Sequence, residues 1–179
     1  METWACIRGR VAVRSFTDQE VPEEMVLRVL EAGRWAPSSK NSQPWHFIVV
    51  QDRATLQELA HLTQTGPYLA GAPMAIVVAM IGAKFPGTDA GRAIQNMVLA
   101  AWEQGLGTCW VANFDQAPTR RLLGLPEDAV VITAFPLGFP TAGAARRGKH
   151  RKPLAEIASW ERFGQHRPRS EPASTTESL

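Results

Sequence analysis

Residues 74–81 form an unbroken apolar run of eight, and this run limits the possible folds more than any other feature of the chain. A segment that is apolar at every position has no polar face, so it predicts a strand buried on both sides of a sheet. It is too short to cross a bilayer, which takes about 20 residues. Apolar runs at residues 45–51 and 130–137 predict two more buried strands, and Pro136 indicates an edge or a bulge near the end of the last one.

Helical patterns separate these strands and begin or end at proline, acidic and glycine signals. The predicted helices cover residues 22–36, 53–62, 88–103 and 118–124, and a short strand is predicted over residues 108–111. Asp52 is expected to cap the second helix, and Thr88 or Asp89 the third. Because helices and strands alternate, the chain is expected to combine both, but periodicity alone leaves open whether the sheet is parallel or mixed.

The helix predicted over residues 88–103 carries small and apolar residues on nearly all of its faces. A helix with this pattern is buried on most of its faces. In a domain as small as this one, the pattern indicates that the helix is also covered by a partner subunit.

The chain has 179 residues and a formal net charge of +2, which favours a soluble globular protein and gives no reason to expect a nucleic-acid partner. Cys6 and Cys109 form no CxxC pair and the four histidines have no metal-binding spacing, so neither a disulfide framework nor a metal site is expected. The start of the chain lacks the pattern of a signal peptide, and a cytoplasmic protein without membrane contact is predicted. Residues 1–164 are predicted to form one domain, and residues 165–179, rich in Pro, Ser, Thr and Glu, a disordered tail.

Basic residues collect at two places that are far apart in the chain. The first group is Arg8, Arg10 and Arg14, and the second is Arg146, Arg147, Lys149, His150, Arg151 and Lys152. For either group alone, a solvated loop is the ordinary interpretation. Together, the two groups could instead converge on one small anion.

A polar loop, residues 37–45, joins the first predicted helix to the first predicted strand. Pro37 and Pro44 restrain its ends. Asn41 and Gln43 supply carboxamides, which carry donors and acceptors together and suit the edge of a heterocycle. Ser, Asn and Pro are also ordinary turn residues, so composition alone favours a simple turn.

The order of residues in the polar loop resembles the flavin-contacting loop of the FMN-dependent nitroreductase family, in the pattern Pro37-Ser38-Ser39-x-Asn41-Ser42-Gln43-Pro44-Trp45. Other segments resemble further parts of the same family. They are Arg10-x-x-x-Arg14-x-Phe16, Asn96-Met97-x-Leu99, Gly105-Leu106-Gly107-Thr108-Cys109-Trp110, Leu123-Gly124-Leu125-Pro126, Leu137-Gly138-Phe139-Pro140 and Lys149-x-Arg151-x-Pro153-Leu154. Because they follow the family's order, the chain is similar to the family over residues 7–160.

The resemblance implies an α+β fold of the nitroreductase type, with three layers in which a mixed, mainly antiparallel sheet is flanked by helices. It also implies an obligate homodimer with FMN at the subunit interface and NADH or NADPH as electron donor. The implied reaction is ping-pong hydride transfer through FMN N5 to a small-molecule acceptor, namely a nitroaromatic, a quinone or a flavin. The flavin carries this chemistry, so no side chain is predicted as catalytic. The alternative is a flavin-binding protein of the same fold that fragments or sequesters FMN.

The implied phosphate site joins the two basic groups. Arg10, Arg14, Lys149 and Arg151 would surround the phosphate, with Ala12 beside it. A phosphate monoester carries roughly −1.5 to −2 charge near neutral pH, so several cations suit it. The family commonly has Arg-Ser after the first arginine where this chain has Val-Ala, which removes one cation and one hydroxyl and predicts weaker FMN binding.

The other implied FMN contacts belong to the polar loop and to a segment that follows the short strand. They are Pro37, Ser38, Ser39, Asn41, Gln43, Ala112 and Asn113. The carboxamides of the loop would hydrogen-bond the flavin ring or the ribityl chain, and its first three residues would reach the flavin from the other subunit. Backbone N–H groups of the later segment would lie near the flavin N5.

Overall fold

A computed structural model describes residues 2–145 and 149–166 of the chain. It has two compact units, residues 1–147 and 148–179, and each is described by itself. Arg146, Arg147 and residues 167–179, which make up most of the predicted tail, lie outside the described residues. The predicted domain boundary at residue 164 stays a prediction.

The first unit is built on one sheet of four strands. The strands are β1 (Trp45–Val50), β2 (Met74–Met80), β3 (Gly107–Thr108) and β4 (Val130–Gly138). They lie in the order β1-β2-β4-β3, and every neighbouring pair is antiparallel. β2 is buried at all of its positions, as the apolar run predicted. The question that periodicity left open is therefore decided in favour of a mainly antiparallel sheet.

β4 is an interior strand, so the prediction of an edge or a bulge at Pro136 is wrong. Pro136 pairs with Ala75 of β2, and the register shift lies farther along, between Val78 and Ala79. On the other side of β4, β3 pairs only with the last two residues of the strand, and the next contact is an isolated bridge at Ala134. Pro136 falls in the interruption between these contacts, where β4 tolerates a residue without an N–H group.

Five helices belong to the first unit, as far as its residues are described. They are α1 (Thr3–Gly9), α2 (Glu23–Arg34), α3 (Arg53–His61), α4 (Pro86–Glu103) and α5 (Gln116–Leu123). Asp52 caps α3 as predicted, since its carboxylate accepts a hydrogen bond from the Thr55 N–H at 2.8 Å. α1 was missed because it is short, and only Cys6 of it is buried. The second unit contains α6 (Leu154–Ile157).

Alternate residues of β2 point to opposite faces of the sheet, and each face has its own core. Ile76 and Val78 pack in a cluster with residues of α2 and α4, whereas Ala75 and Val77 pack with residues of α3 and α5. The sheet is therefore the middle of three layers, as the predicted fold class requires. In the part of the chain that is described, no helix combines the length and the apolar character needed to cross a bilayer.

Helix α4 begins at Pro86 with Phe85 as its N-cap, so the prediction that Thr88 or Asp89 caps this helix is wrong. The Asp89 carboxylate does not cap the helix but accepts a hydrogen bond from the Ser39 N–H of the polar loop. One face of α4 is buried against the sheet, whereas Leu99 and Ala100 on its remaining surface are half-buried and Arg92, Gln95 and Glu103 are exposed.

Candidate functional site

The polar loop has an unusual backbone. Lys40, Asn41 and Gln43 all have left-handed φ angles, of 53°, 56° and 48°, although none of them is glycine. Non-glycine residues adopt this region rarely, and such positions cluster at functional sites, where the surrounding structure holds them in place. Here the Gln43 N–H donates to Ser38 Oγ at 2.9 Å, and Gln43 Nε2 donates to the Asn41 carbonyl at 3.3 Å. The loop thus presents both carboxamides at the surface on a constrained backbone.

A buried carboxylate anchors the polar loop to the start of α4. Asp89 is 1% exposed, and its Oδ1 accepts hydrogen bonds from the Ser39 N–H at 3.1 Å and from Arg92 Nη1 at 3.3 Å. A charged acceptor makes a stronger hydrogen bond to a backbone N–H than a neutral one does. Sequence reasoning assigned Asp89 only to a helix cap, because the contact joins residues that are 50 positions apart.

The segment that contains Ala112 and Asn113 is clamped by a second loop, residues 63–68, which we call the threonine loop. The hydroxyls of Thr63 and Thr65 both donate to the Ala112 carbonyl, at 2.7 and 3.0 Å. Asn113 has a left-handed φ of 59°. Because C=O and N–H point in opposite directions across a trans peptide, this clamp turns the Asn113 N–H away from the threonine loop. Nothing in the sequence pattern marked the two threonines as part of a site.

The basic segment, residues 10–14, runs beside β3. Ala12 forms a parallel bridge with Thr108, and the Val13 N–H donates to the Thr108 carbonyl at 2.9 Å. The guanidinium carbon of Arg14 lies 5.6 Å from the ring centroid of Tyr68. Interaction with the Tyr68 side chain raises the pKa of Arg14 above its usual value, so this arginine remains a cation at every accessible pH.

Tyr68 connects the basic segment to the residues between β3 and Ala112. Its hydroxyl lies 3.2 Å from Cys109 Sγ and 3.4 Å from the Trp110 carbonyl. Burial, followed by the neighbouring thiol, raises the pKa of Tyr68, and its phenol therefore remains protonated near neutral pH. Cys109 lies directly after β3 and is buried, and it also receives this polar contact.

Within one chain, the polar loop and the basic segment lie at opposite ends of the sheet. Trp45, the last residue of the loop and the first of β1, pairs with Met80. Thr108, beside the basic segment, pairs with Leu137, which in turn pairs with Met74. Met74 and Met80 are the two ends of β2, and their six-residue separation corresponds to about 20 Å for a strand that rises ~3.3 Å per residue. The predicted site residues of the polar loop and those of the basic segment are therefore separate within the first unit.

The remaining two predicted cations belong to the second unit. Lys149 and Arg151 are both exposed, and Arg151 Nη1 donates to the His150 carbonyl at 2.9 Å. Their part in a phosphate site stays a prediction.

Known proteins resemble this chain in both sequence and fold. The family model described as the nitroreductase family matches residues 7–67 and 61–139. A protein from Methanothermobacter thermautotrophicus named NADH dehydrogenase/NAD(P)H nitroreductase is 32% identical, over 89% of this chain and 88% of its own length. A Bacteroides thetaiotaomicron crystal structure with the same name has a TM-score of 0.82 and 29% identity, covering 92% of this chain and 98% of its own.

A third similar protein was solved with a flavin bound. It is a nitroreductase from Desulfovibrio desulfuricans in complex with FMN, with 35% identity and a TM-score of 0.78, covering 91% of this chain and 98% of its own. These similarities confirm the resemblance that the sequence motifs indicated and the predicted fold class. By the extent of the family match and by its identity to relatives along most of its length, this chain belongs to the nitroreductase family.

Proposed function

We propose that this chain is an FMN-dependent NAD(P)H oxidoreductase that reduces small acceptors such as nitroaromatics, quinones or free flavins. The observation that carries the proposal is the polar loop, in which Asn41 and Gln43 are held in left-handed conformations and a buried Asp89 fixes the backbone at Ser39. Strain of this kind persists only where the surrounding structure maintains it, and it is typical of ligand sites. The relatives named as NAD(P)H nitroreductases and the FMN complex support the same activity.

The chemistry of the donor groups fits FMN. The carboxamides of Asn41 and Gln43 would hydrogen-bond the flavin, and the exposed or half-buried residues at the start of the loop, Pro37, Ser38 and Ser39, would contact it from one side. When bound, FMN supplies the hydride-accepting and hydride-donating centre. The protein's own residues would orient it and exclude water, and no side chain is assigned a proton-transfer role.

The remaining groups would hold the phosphate and the far edge of the ring. Arg10 and Arg14, joined by Lys149 and Arg151, would bind the phosphate as cations. Backbone N–H groups at Ala112 and Asn113, held by the clamp on the Ala112 carbonyl, would face the reacting edge of the flavin and stabilise negative charge there. NAD(P)H and the acceptor would use the same open face in turn, which gives ping-pong kinetics.

The site would be completed by a second copy of the chain. A single first unit keeps the polar loop and the basic segment about 20 Å apart along β2. A groove between α1, α2 and α4 is lined by Trp35, which is 75% exposed. Two further apolar side chains are exposed on the same helices, Trp4 of α1 at 61% and Leu27 of α2 at 52%. Exposed apolar surface of this kind favours association. We infer a homodimer in which each FMN lies between two chains.

Purified protein is expected to bind FMN and to oxidise NADH or NADPH faster than the same concentration of free FMN does. The measurement is anaerobic bleaching of the flavin absorbance by each nucleotide, followed by reoxidation with a nitroaromatic, a quinone or free flavin. Parallel lines in double-reciprocal plots would establish the ping-pong order. Oxidation no faster than with free FMN contradicts the proposal, and loss of the flavin spectrum under oxygen would instead indicate FMN fragmentation.

Asp89→Ala is expected to weaken FMN binding roughly 10- to 100-fold, because a hydrogen bond to a charged group contributes about 1.5–3 kcal/mol and its loss leaves the Ser39 N–H without this acceptor. Asp89→Asn keeps an oxygen acceptor and should lose much less. Arg92→Ala removes only the partly exposed ion pair and should change the affinity less than about threefold. The dissociation constants can be measured by quenching of flavin fluorescence. Native affinity in Asp89→Ala would show that the loop is held by other contacts.

A further inference from the structure

Tyr68 is the side chain that joins two parts of the proposed site without belonging to either. Its ring lies beneath the Arg14 guanidinium, 5.6 Å from the guanidinium carbon to the centroid. Its hydroxyl lies 3.2 Å from Cys109 Sγ and 3.4 Å from the Trp110 carbonyl. The sequence motifs that indicated the family do not include this tyrosine.

The backbone around Tyr68 is held by hydrogen bonds and by a buried neighbour. Tyr68 lies in a 3-10 turn, Pro67–Leu69, that begins within the threonine loop, and Leu69 of this turn is completely buried. The threonine loop itself is bonded to the Ala112 carbonyl by two hydroxyls. Tyr68 is half-buried, whereas Arg14 is exposed. An exposed arginine has many rotamers, so a fixed aromatic face beneath it restricts the guanidinium to a small region.

Restricting the Arg14 guanidinium in this way affects how strongly it binds an anion. A guanidinium that already lies in place loses less conformational freedom when it binds a phosphate than one that samples solvent. The aromatic face attracts the guanidinium but carries no negative charge, unlike a carboxylate partner. The positive charge of Arg14 therefore remains available to an anionic ligand. The contact with Tyr68 therefore suits an arginine that binds a phosphate.

We propose that Tyr68 is a positioning residue that holds Arg14 for the flavin phosphate and thereby sets the preference of this protein for FMN over riboflavin. The inference rests on the proposed function, because it requires that Arg14 binds the phosphate. Tyr68 itself would touch neither the phosphate nor the flavin ring.

The test compares the dissociation constants of FMN and riboflavin in the wild-type protein and in Arg14→Met, Tyr68→Phe and Tyr68→Leu. Tyr68→Leu removes the aromatic face and is expected to weaken FMN binding about 3- to 30-fold, the range that corresponds to the energy of a cation–π contact, with riboflavin affinity unchanged within twofold. Tyr68→Phe keeps the face but loses the hydroxyl, with its contacts to Cys109, the Trp110 carbonyl and Arg14, and its FMN affinity should lie between those of wild type and Tyr68→Leu. In an Arg14→Met background, Tyr68→Leu should have no further effect on FMN.

The outcomes separate this inference from the function on which it rests. If Arg14→Met abolishes the preference for FMN while Tyr68→Leu leaves it unchanged, Tyr68 is not a positioning residue, and the phosphate role of Arg14 stands. Equal loss of FMN and riboflavin affinity in Tyr68→Leu indicates a purely structural role and overturns the inference. If the wild-type protein binds neither flavin, the proposed function is contradicted, and the inference about Tyr68 falls with it. Should Tyr68→Leu not fold, Tyr68→Phe decides the question: a smaller preference for FMN that is absent in the Arg14→Met background supports the inference, and an unchanged preference overturns it.

Discussion

Two variants that each fail to bind FMN alone are expected to recover binding when their chains are combined. The first is Arg14→Glu, which reverses a phosphate-binding charge. The second is Asn41→Val with Gln43→Val, which removes both carboxamides and places β-branched residues where the backbone is left-handed. In a symmetric dimer whose sites combine the basic segment of one chain with the polar loop of the other, a mixed dimer carries both defects in one site and none in the other.

The recovery has a defined stoichiometry. If the two variants mix at random, half of the dimers are mixed and about a quarter of all sites are intact, as two-fold symmetry requires. Two different affinity tags allow the mixed dimer to be purified after co-expression, and its FMN content should approach one flavin per two chains. Each variant carrying both tags is the matched control and should remain without flavin. A mixed dimer that forms but binds no FMN would show that the site is contained in one chain.

The physical basis of this prediction is the register of the sheet. β1 and β3 are its two edges, and the polar loop and the basic segment lie at opposite ends of the strands between them. No change of side-chain rotamer brings groups together over the length of β2. In the proposed dimer a second chain would do so, because a two-fold axis would bring the loop of one copy next to the basic segment of the other.

Gly66→Ala is expected to lower the free energy of unfolding by about 1–3 kcal/mol, the range for adding atoms to a well-packed site. A Cβ at Gly66 would lie 2.2 Å from Val111 Cγ1 and 2.9 Å from Val111 Cγ2, and Val111 is fully buried. The backbone of Gly66 has a φ of −130°, so the obstacle is the close contact and not the conformation. In a chain of this size, thermal unfolding should shift down by about 2–4 °C per kcal/mol.

The same substitution should also weaken FMN binding, because Gly66 and Val111 lie where the threonine loop meets the segment leading to Ala112. Gly71→Ala is the matched control, since its Cβ would meet only the Tyr68 carbonyl at 3.9 Å. Gly66→Ala combined with Val111→Ala removes the two clashing methyl groups and should recover part of the lost stability in a double-mutant cycle. If Gly66→Ala melts at the wild-type temperature, the two segments are not closely packed in solution.

Local sequence patterns were sufficient to predict a structural element wherever the residues that determine it lie close together in the chain. The unbroken apolar run predicted β2 because a strand buried on both faces needs apolar residues at consecutive positions. Asp52 predicted the start of α3 because a cap acts within three residues. The polar loop was recognised by the order of its residues, whereas its composition alone favoured an ordinary turn.

Other features depend on contacts between distant parts of the chain, and no local pattern reports them. Asp89 resembles a helix cap in the sequence, but in the structure it anchors Ser39, 50 positions earlier. Pro136 resembles an edge residue, but an interruption in the pairing of β3 allows it inside the sheet. Nothing in the sequence distinguishes the threonines of the threonine loop from other surface threonines, and only the fold brings their hydroxyls to the Ala112 carbonyl.

The sequence by itself therefore determined the family, the buried strands and the residue types that suit a flavin, because these follow from short-range order along the chain. Only the tertiary structure decided the antiparallel strand order, the anchoring of the polar loop by Asp89 and the position of Tyr68 beneath Arg14. It also separated the polar loop from the basic segment by the length of β2. The physical reason is that register and side-chain contacts across a sheet depend on how distant segments pair, and a linear pattern carries no record of that pairing.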